Sequence, residues 1–340
     1  MRVEWLADVA PERWDALVSS ASDASVCHLA GWREVFADVL RHECRYGVAV
    51  DGDGTWLGAL PLVHVRGGPL GHYLVSLPFL NYGGAVGTEE ARAALAHAAV
   101  EEARSTGADL LELRSRRAHG GDLRSTDRKI LVLLDLPERA ATLWDAFPGK
   151  LRSQIRRPLK EGMEARLGLD QLEPFYQVFA RHMHELGTPV LPRAFFERIA
   201  ALFPGSLMVG AVYAGGRPVA AGCGFLWRNE FEMTWASSLR QFDRAAPNML
   251  LYWAFMEQVI AQGGRVFNFG RCSPGGGTHR FKRQWGGHDA PLPWAQWSAR
   301  AVAAPPSPDR PLFRLASACW RRLPAALANR LGPRIARCLP

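Results

Sequence analysis

No run of about 18 uncharged apolar residues occurs in this 340-residue chain, so the sequence offers no membrane span. The N-terminus, MRVEWLADVAPERWDALV, spaces its Glu, Asp and Arg amphipathically and lacks the apolar core of a secretory leader. Cysteine is scarce: the six thiols at 27, 44, 223, 272, 319 and 338 form no CxxC pair. That argues against a zinc knuckle or a redox dithiol and fits mostly buried, inert thiols in a reducing cytoplasm. His182 and His184 lie two apart on a predicted helix, so they face different sides and chelate one ion poorly; no metal is expected. Neither a G-x-S-x-G elbow nor a Ser-His-Asp pattern is visible. What the chain does have is 48% hydrophobic residues and 12 Trp, enough for substantial cores, in a length that suggests two domains. Its formal charge of +8 favours anionic partners: phosphates, nucleotides, tRNA or an acidic membrane surface.

The hydrophobic periodicity predicts a short strand at 3–7, helices at Glu12–Ser19 and Trp32–Leu40, and strands at Tyr46–Val50, Thr55–His64 and Tyr73–Ser76. A helix at Glu89–Thr106, closed by Gly107, precedes strands at Asp109–Arg114 and Lys129–Asp135. The second half repeats the plan. Helices at Leu172–Leu186 and Pro192–Ala201 lead into a strand meander at Leu207–Tyr213, Arg217–Trp227 and Glu230–Ala236. An apolar helix, Met249–Gln262, then ends at Gly263-Gly264 before a strand at Val266–Phe269. Helix, glycine and strand thus recur in both halves. We read a tandem duplication of one α/β (α+β) module, with domains at 1–145 and 146–300. A Pro-rich linker and a basic C-terminal helix follow at 301–340.

Two segments carry chemistry. Arg265–Gly287, RVFNFGRCSPGGGTHRFKRQWGG, runs from a strand through Gly275, Gly276 and Gly277 to a cluster of cationic groups. Glycines lack Cβ atoms and let backbone approach a ligand closely. Positive charge beside them suits a phosphate or a developing oxyanion; an ordinary surface loop with solvated basic residues is the alternative. Between the halves, KLRSQIRRPLKEG (Lys150–Gly162) gathers Lys150, Arg152, Arg156, Arg157 and Lys160. This is a solvated helix face, or a phosphate contact where clefts form at a domain junction. His279 has an unperturbed pKa near neutrality, which suits it to take an acceptor's proton. Asn81-Tyr82-Gly83-Gly84 reads as turn chemistry. Glu185 and Tyr252 are further cleft candidates, Tyr252 with core packing as its alternative. The arginines at 321, 322, 330, 334 and 337 leave two readings of the tail: a helix packed on its own domain, or a peripheral contact with an anionic membrane.

The segments KLRSQIRRPLKEG, ELGTPVLPRAFF, PNMLLYW, FNFGR and FKRQWGG together resemble the FemAB family, in particular its exosortase (PEP-CTERM) and exopolysaccharide-associated branch, over nearly the whole chain. The resemblance implies tandem GNAT-like domains, each a mixed, mostly antiparallel sheet flanked by helices. It implies transfer of an acyl or aminoacyl group from aminoacyl-tRNA or acyl-CoA, used as co-substrate with no tightly bound cofactor. The acceptor would be an amine of a small-molecule, lipid-linked or nucleotide-linked envelope or exopolysaccharide precursor, in the cytoplasm or at the inner membrane's surface. The family's catalytic pair falls on Phe281 and Lys282, Lys282 stabilising the oxyanion and Phe281 shaping the acyl site. Arg271, in FNFGR, and the three glycines join the substrate-binding candidates.

The sequence departs from the family at several points. Asn268 stands where relatives carry an acid, and only Arg33 offers itself for the first-half lysine that contacts precursor phosphates. The coiled-coil arm of some tRNA-using members is absent. The loop SLRQFDRAAPNML (Ser238–Leu250) has Arg240 and Arg244 for a phosphate and Asn248 as a helix cap or polar contact, but lacks the glycines of a CoA pyrophosphate cradle. A non-catalytic nucleotide- or tRNA-binding relative and a membrane-peripheral assembly factor are the alternatives to an enzyme.

Overall fold

A computed structural model describes residues 1–118, 123–126, 128–299 and 311–340. In chain order the elements are β1 (Arg2–Leu6), α1 (Pro11–Ser20), α2 (Trp32–Glu34, continued as a wider π-turn to Val39), β2 (Glu43–Val50), β3 (Trp56–Arg66), β4 (His72–Val75), β5 (Val86–Gly87), α3 (Glu89–Ser105), β6 (Leu110–Leu113) and β7 (Arg124–Thr126). There follow β8 (Ile130–Asp135), α4 (Ala140–Ala146), α5 (Gly149–Lys160), β9 (Glu164–Leu167), α6 (Leu172–Leu186), α7 (Arg193–Leu202), β10 (Leu207–Ala214), β11 (Arg217–Trp227), β12 (Glu230–Ser238) and α8 (Pro247–Ala261). The chain closes with β13 (Val266–Cys272), α9 (Gly277–Arg283), β14 (His288–Pro291), β15 (Trp294–Ser298), α10 (Pro311–Trp320) and α11 (Ala325–Ala336). The expected linker at 301–310 lies outside the described residues.

The chain divides into two compact units, one of 1–128, 291–314 and 334–340, the other of 129–290 and 315–333. The sequence boundary was expected at 145/146. Two strands account for the difference, each pairing with the sheet of the other half. β8 joins β13, with Leu133 opposite Asn268, and β15 joins β6, with Ala295 opposite Leu113.

In the first unit the sheet runs β1-β2-β3-β4-β6-β15-β7, with β5 on β3. β1 to β4 are antiparallel; α3 then crosses over, and β6 lies parallel to β4, Tyr73 opposite Leu110. Helix α3 starts where the Thr88 hydroxyl accepts the Ala91 N–H at 3.2 Å, with Glu89 and Glu90 favourable at the positive end of its dipole. It buries Leu95, Ala99 and Val100 against Leu60, Leu62 and Leu111. The predicted turn at Asn81–Gly84 is part of a buried loop in which Leu77 and Phe79 take left-handed φ of 60° and 69°. Arg114 holds that loop by donating to the Leu77 and Leu80 carbonyls at 3.2 and 3.0 Å while pairing with Glu112.

The second unit repeats this order. Its sheet runs β14-β8-β13-β12-β11-β10-β9, with β9 to β12 antiparallel, α8 crossing over, and β13 parallel to β12. α8 is apolar almost throughout, since one face covers the sheet and another receives α5. α5 presents Leu151 and Ile155, four residues apart, to that core and leaves Lys150, Arg156, Arg157 and Lys160 exposed. The basic tail forms two helices instead of the one expected. Residues 315–333 belong to the second unit, the Leu323 carbonyl lying 2.9 Å from Nε2 of His184, while 311–314 and 334–340 belong to the first.

Phe255 on α8 is fully buried and stacks on Phe231 of β12 at 5.4 Å. Phe255→Ala should lower the unfolding free energy by about 3–5 kcal/mol in urea titrations; a loss under about 1 kcal/mol would mean that the α8–sheet core is not the support described.

Candidate active site

The second sheet opens at its centre. β12 and β13 pair in parallel only from Glu230 and Val266 to Glu232 and Asn268, although they run on to Ser238 and Cys272. Beyond that point β12 stays with β11 and β13 stays with β8, so the two strands part. A parallel pair that splays in this way exposes backbone N–H and C=O groups to anything entering the gap.

At the split, β13 bulges. Its register with β8 shifts between Asn268 and Arg271, and Gly270 takes a φ of 72°, a conformation that favours glycine. Asn268, fully buried, fixes the bulge from both ends of its amide: Oδ1 accepts the Gly270 N–H at 2.8 Å, and Nδ2 donates to Glu230 at 2.8 Å. The Gly270 and Arg271 carbonyls are thereby presented to Lys282 on α9, whose Nζ donates to them at 2.8 and 2.9 Å. Lys282 is only 5% exposed. Burial pushes its ammonium down to about 8, against the upward pull of Cys272 and the buried Glu232. An ammonium has three donors, so one remains for a ligand.

Phe281 stands edge-on to Tyr252 at 5.1 Å and to Trp285 at 6.4 Å, fixing α9 against the α8 core. Tyr252 itself is core: it is 6% exposed, stacks on Phe269 at 5.7 Å, and burial pushes its phenol up. Of the three glycines, Gly275 turns the chain with a φ of 74°, Gly276 caps α9 and Gly277 begins it, so the expected flexible loop is half helix. His279 is the correction of most consequence. Its Nδ1 accepts the Gly275 N–H at 3.0 Å and its Nε2 faces Asp289 at 2.9 Å, so both ring nitrogens are engaged in closing the glycine turn. It has no free lone pair for an acceptor's proton.

The remaining candidates are dispersed. Lys150, Arg152 and Arg156 lie on α5, Arg156 over the Trp144 ring at 4.9 Å. Arg240 and Arg244 are exposed in the turn between β12 and α8. Asn248 is not the helix cap: Ala246 is, at a φ of 56°, because Pro247 fills the first helical position, where its missing N–H costs nothing. Arg271 lies half-buried on β13 beside the ammonium, which it pushes down. Glu185 accepts the Arg240 N–H at 3.4 Å and pairs with Arg181. His182 contacts the Ser238 carbonyl at 2.6 Å, away from the partner of His184, and no metal-ligating cluster occurs among the described residues. Arg33, on α2, pairs with Asp8 at 3.8 Å. Sequence reasoning missed Glu232, whose signal was the alternation in Glu230-Phe231-Glu232-Met233 that sets two acids on one face of a buried strand.

An acetyltransferase (GNAT) domain model matches residues 149–283, the part that contains the split and Lys282. This places the second unit in the GNAT fold. The chain is also similar to UDP-N-acetylmuramoylpentapeptide-lysine N(6)-alanyltransferase of Weissella viridescens, 30% identical over 81 residues. That stretch is 23% of this chain and spans only 24% of the relative. Among solved structures, FemX superposes over 93% of this chain and all of its own, with a TM-score of 0.65 at 14% identity. A tandem GNAT protein from clavulanic acid biosynthesis covers 88% of this chain and all of its own, with a TM-score of 0.53 at 14% identity. The C-terminal domain of a putative lysylphosphatidylglycerol synthetase from Agrobacterium fabrum covers 85% of this chain and 91% of its own, with a TM-score of 0.56 at 15% identity. Residues 149–283 are thus a GNAT domain, and over most of its length the chain shares the fold of FemX and of a tandem GNAT protein.

The chain has four lysines, at 129, 150, 160 and 282. After reductive ¹³C-methylation, an NMR titration should show one lysine with a midpoint near pH 8 whose signal is absent from Lys282→Arg. Finding every lysine in the ordinary range near 10.4 would contradict the buried ammonium.

Proposed function

We propose that the protein is an N-acyltransferase. It moves an acyl or aminoacyl group from a thioester or ester donor, acyl-CoA or aminoacyl-tRNA, onto an amine of a cell-envelope or exopolysaccharide precursor. The observation that carries this reading is the Lys282 ammonium, buried at the parting of β12 and β13 with two donors on carbonyls and one unspent. The acceptor's amine attacks the donor's carbonyl carbon, a C–N bond forms, and the π pair moves onto oxygen. Lys282 donates to that oxyanion from a site where water does not compete. Collapse breaks the C–S or C–O bond, and the proton lost by the amine balances the one gained by the leaving thiolate or ribose oxygen. Phe281 and Trp285 set the pitch of α9 and thereby the reach of Nζ. The exposed cations at Lys150, Arg156, Arg240 and Arg244, with the half-buried Arg152, draw in the phosphates that either donor carries.

The acceptor class rests on the Weissella relative, named for alanyl transfer to the lysine of a UDP-linked muramoylpentapeptide. We place the chain in the exosortase-associated branch on its FNFGR and FKRQWGG segments. The setting is the cytoplasm at the membrane surface. Residues 311–340 contain six arginines and no acid, and they expose Leu315 (63%), Leu327 (42%) and Ile335 (37%), the mix that holds a helix on anionic lipid.

Lys282→Ala should keep the fold and lower turnover on the order of 100-fold with charged tRNA or acyl-CoA; unchanged turnover removes Lys282 from the mechanism. Because the ammonium is the active form, kcat in the wild type should fall as pH rises through about 8. A guanidinium stays charged, so Lys282→Arg, where it retains activity, should lose that limb. On flotation, the full chain should rise with phosphatidylglycerol vesicles and not with phosphatidylcholine alone, and a chain ending at 310 should stay in the dense fraction. Equal behaviour of the two chains would dismiss the membrane contact.

A further inference from the structure

On the α6 side of the second unit, a pocket of about 270 Å³ is lined by Gln177, Val178 and Arg181 of α6, Arg217-Pro218-Val219 of β11, and Leu239, Gln241 and Phe242 after β12. Its floor is apolar: Val178, Val219 and Leu239 are buried, while Pro218 and Phe242 are half-buried. Its rim is polar and cationic, and among the described residues none of the lining is acidic. The walls are fixed. Arg181 donates to Gln241 at 3.2 Å, His182 meets the Ser238 carbonyl, and the Leu239 N–H donates to Val219 at 2.9 Å. Arg217 has no ion pair among the described residues, and it stands exposed beside the opening.

We infer that this pocket binds a nucleoside phosphate. The Arg217 guanidinium on the rim selects phosphate through paired N–H donors, while Arg181, paired with Glu185 at 3.4 Å, holds the wall. A buried apolar floor gives nothing to a bare phosphate but suits the face of a base, for which Phe242 and Pro218 offer flat surfaces. The Gln177 and Gln241 amides each supply donors and an acceptor to a base edge. The volume falls just below the roughly 300–1,000 Å³ of sites that enclose whole drug-sized ligands, so it admits one nucleotide-sized fragment. The inference deepens the transferase reading and rests on it for the source of the nucleotide. Both proposed donors carry adenosine phosphates, and a nucleotide-linked acceptor carries a uridine phosphate.

Calorimetric titration of the full chain with adenosine 5′-monophosphate, uridine 5′-monophosphate and inorganic phosphate tests it, alongside Arg217→Glu and Phe242→Ala. The wild type should bind one nucleotide at least about tenfold more tightly than phosphate. Arg217→Glu, with an unchanged melting curve, should weaken that binding roughly 10- to 100-fold, the range of a charge-assisted hydrogen bond. Phe242→Ala should reduce the preference over phosphate. A preference for the adenine nucleotide assigns the pocket to the donor, and one for uridine assigns it to the acceptor. Phosphate binding as tightly as either nucleotide, or Arg217→Glu binding like the wild type, overturns the inference. A wild type that transfers acyl groups but binds no nucleotide here sinks the pocket and spares the enzyme. Nucleotide binding lost in Arg217→Glu, in a protein that transfers nothing, does the reverse.

Discussion

A buried ammonium hydrogen-bonded to neutral backbone oxygens constrains everything around it. Carbonyl dipoles solvate Lys282 less well than water does, so its proton is held loosely. It stays only because β13 delivers two carbonyls to one point, which an unbroken parallel ladder does not do. That delivery requires a bulge, the bulge requires glycine at 270, and the glycine requires Asn268 to take its N–H. An aspartate there would accept the same N–H but, being ionised, would face Glu230 with a second negative charge. The amide donates to Glu230 instead. The residue that departed from the family's pattern is thus one that the local geometry uses in full.

The two units share a topology and use it differently. In each, an antiparallel meander ends in a strand, a helix crosses over, and a parallel strand returns. In the first unit the place beside β6 is closed by backbone: Ser76 N–H donates to Glu112, Gly84 N–H donates to Arg114, and Arg114 satisfies the carbonyls of the intervening loop. In the second unit β12 and β13 simply part. A repeated fold therefore keeps one gap filled and one open, and the buried ammonium lies beside the open one.

Most of the fold was legible because periodicity reports burial. Leu172–Leu186 and Arg217–Trp227 stand where their patterns put them, and the helix–glycine–strand repeat marked both crossovers. The pairing partners were not legible. Ile130–Asp135 and Trp294–Ser298 read as strands or as nothing in particular, and no local signal says which sheet a strand joins. At the site, the motif pointed to Lys282 and the alternation that marks Glu232 went unread, whereas the engagement of His279 depends on Asp289 ten residues on and a glycine turn four residues back. The pocket at Arg217 gathers three separated segments, and such convergence leaves no trace in any one of them.

In a chain whose cations are mostly arginine, lysine at 282 is a chemical choice. A guanidinium is planar and spreads five donors across a fork, which fits a carboxylate or phosphate and ill fits two carbonyls from adjacent residues with an oxyanion opposite. An ammonium is a compact point whose three donors diverge, so two can be anchored while the third points away from both. Its proton can also be weakened by burial, whereas that of arginine cannot. Arginines on α5, on the turn before α8 and along the tail are largely exposed, where a charge acts at long range rather than through one fixed contact. The one buried lysine sits where two backbone carbonyls converge on a single nitrogen.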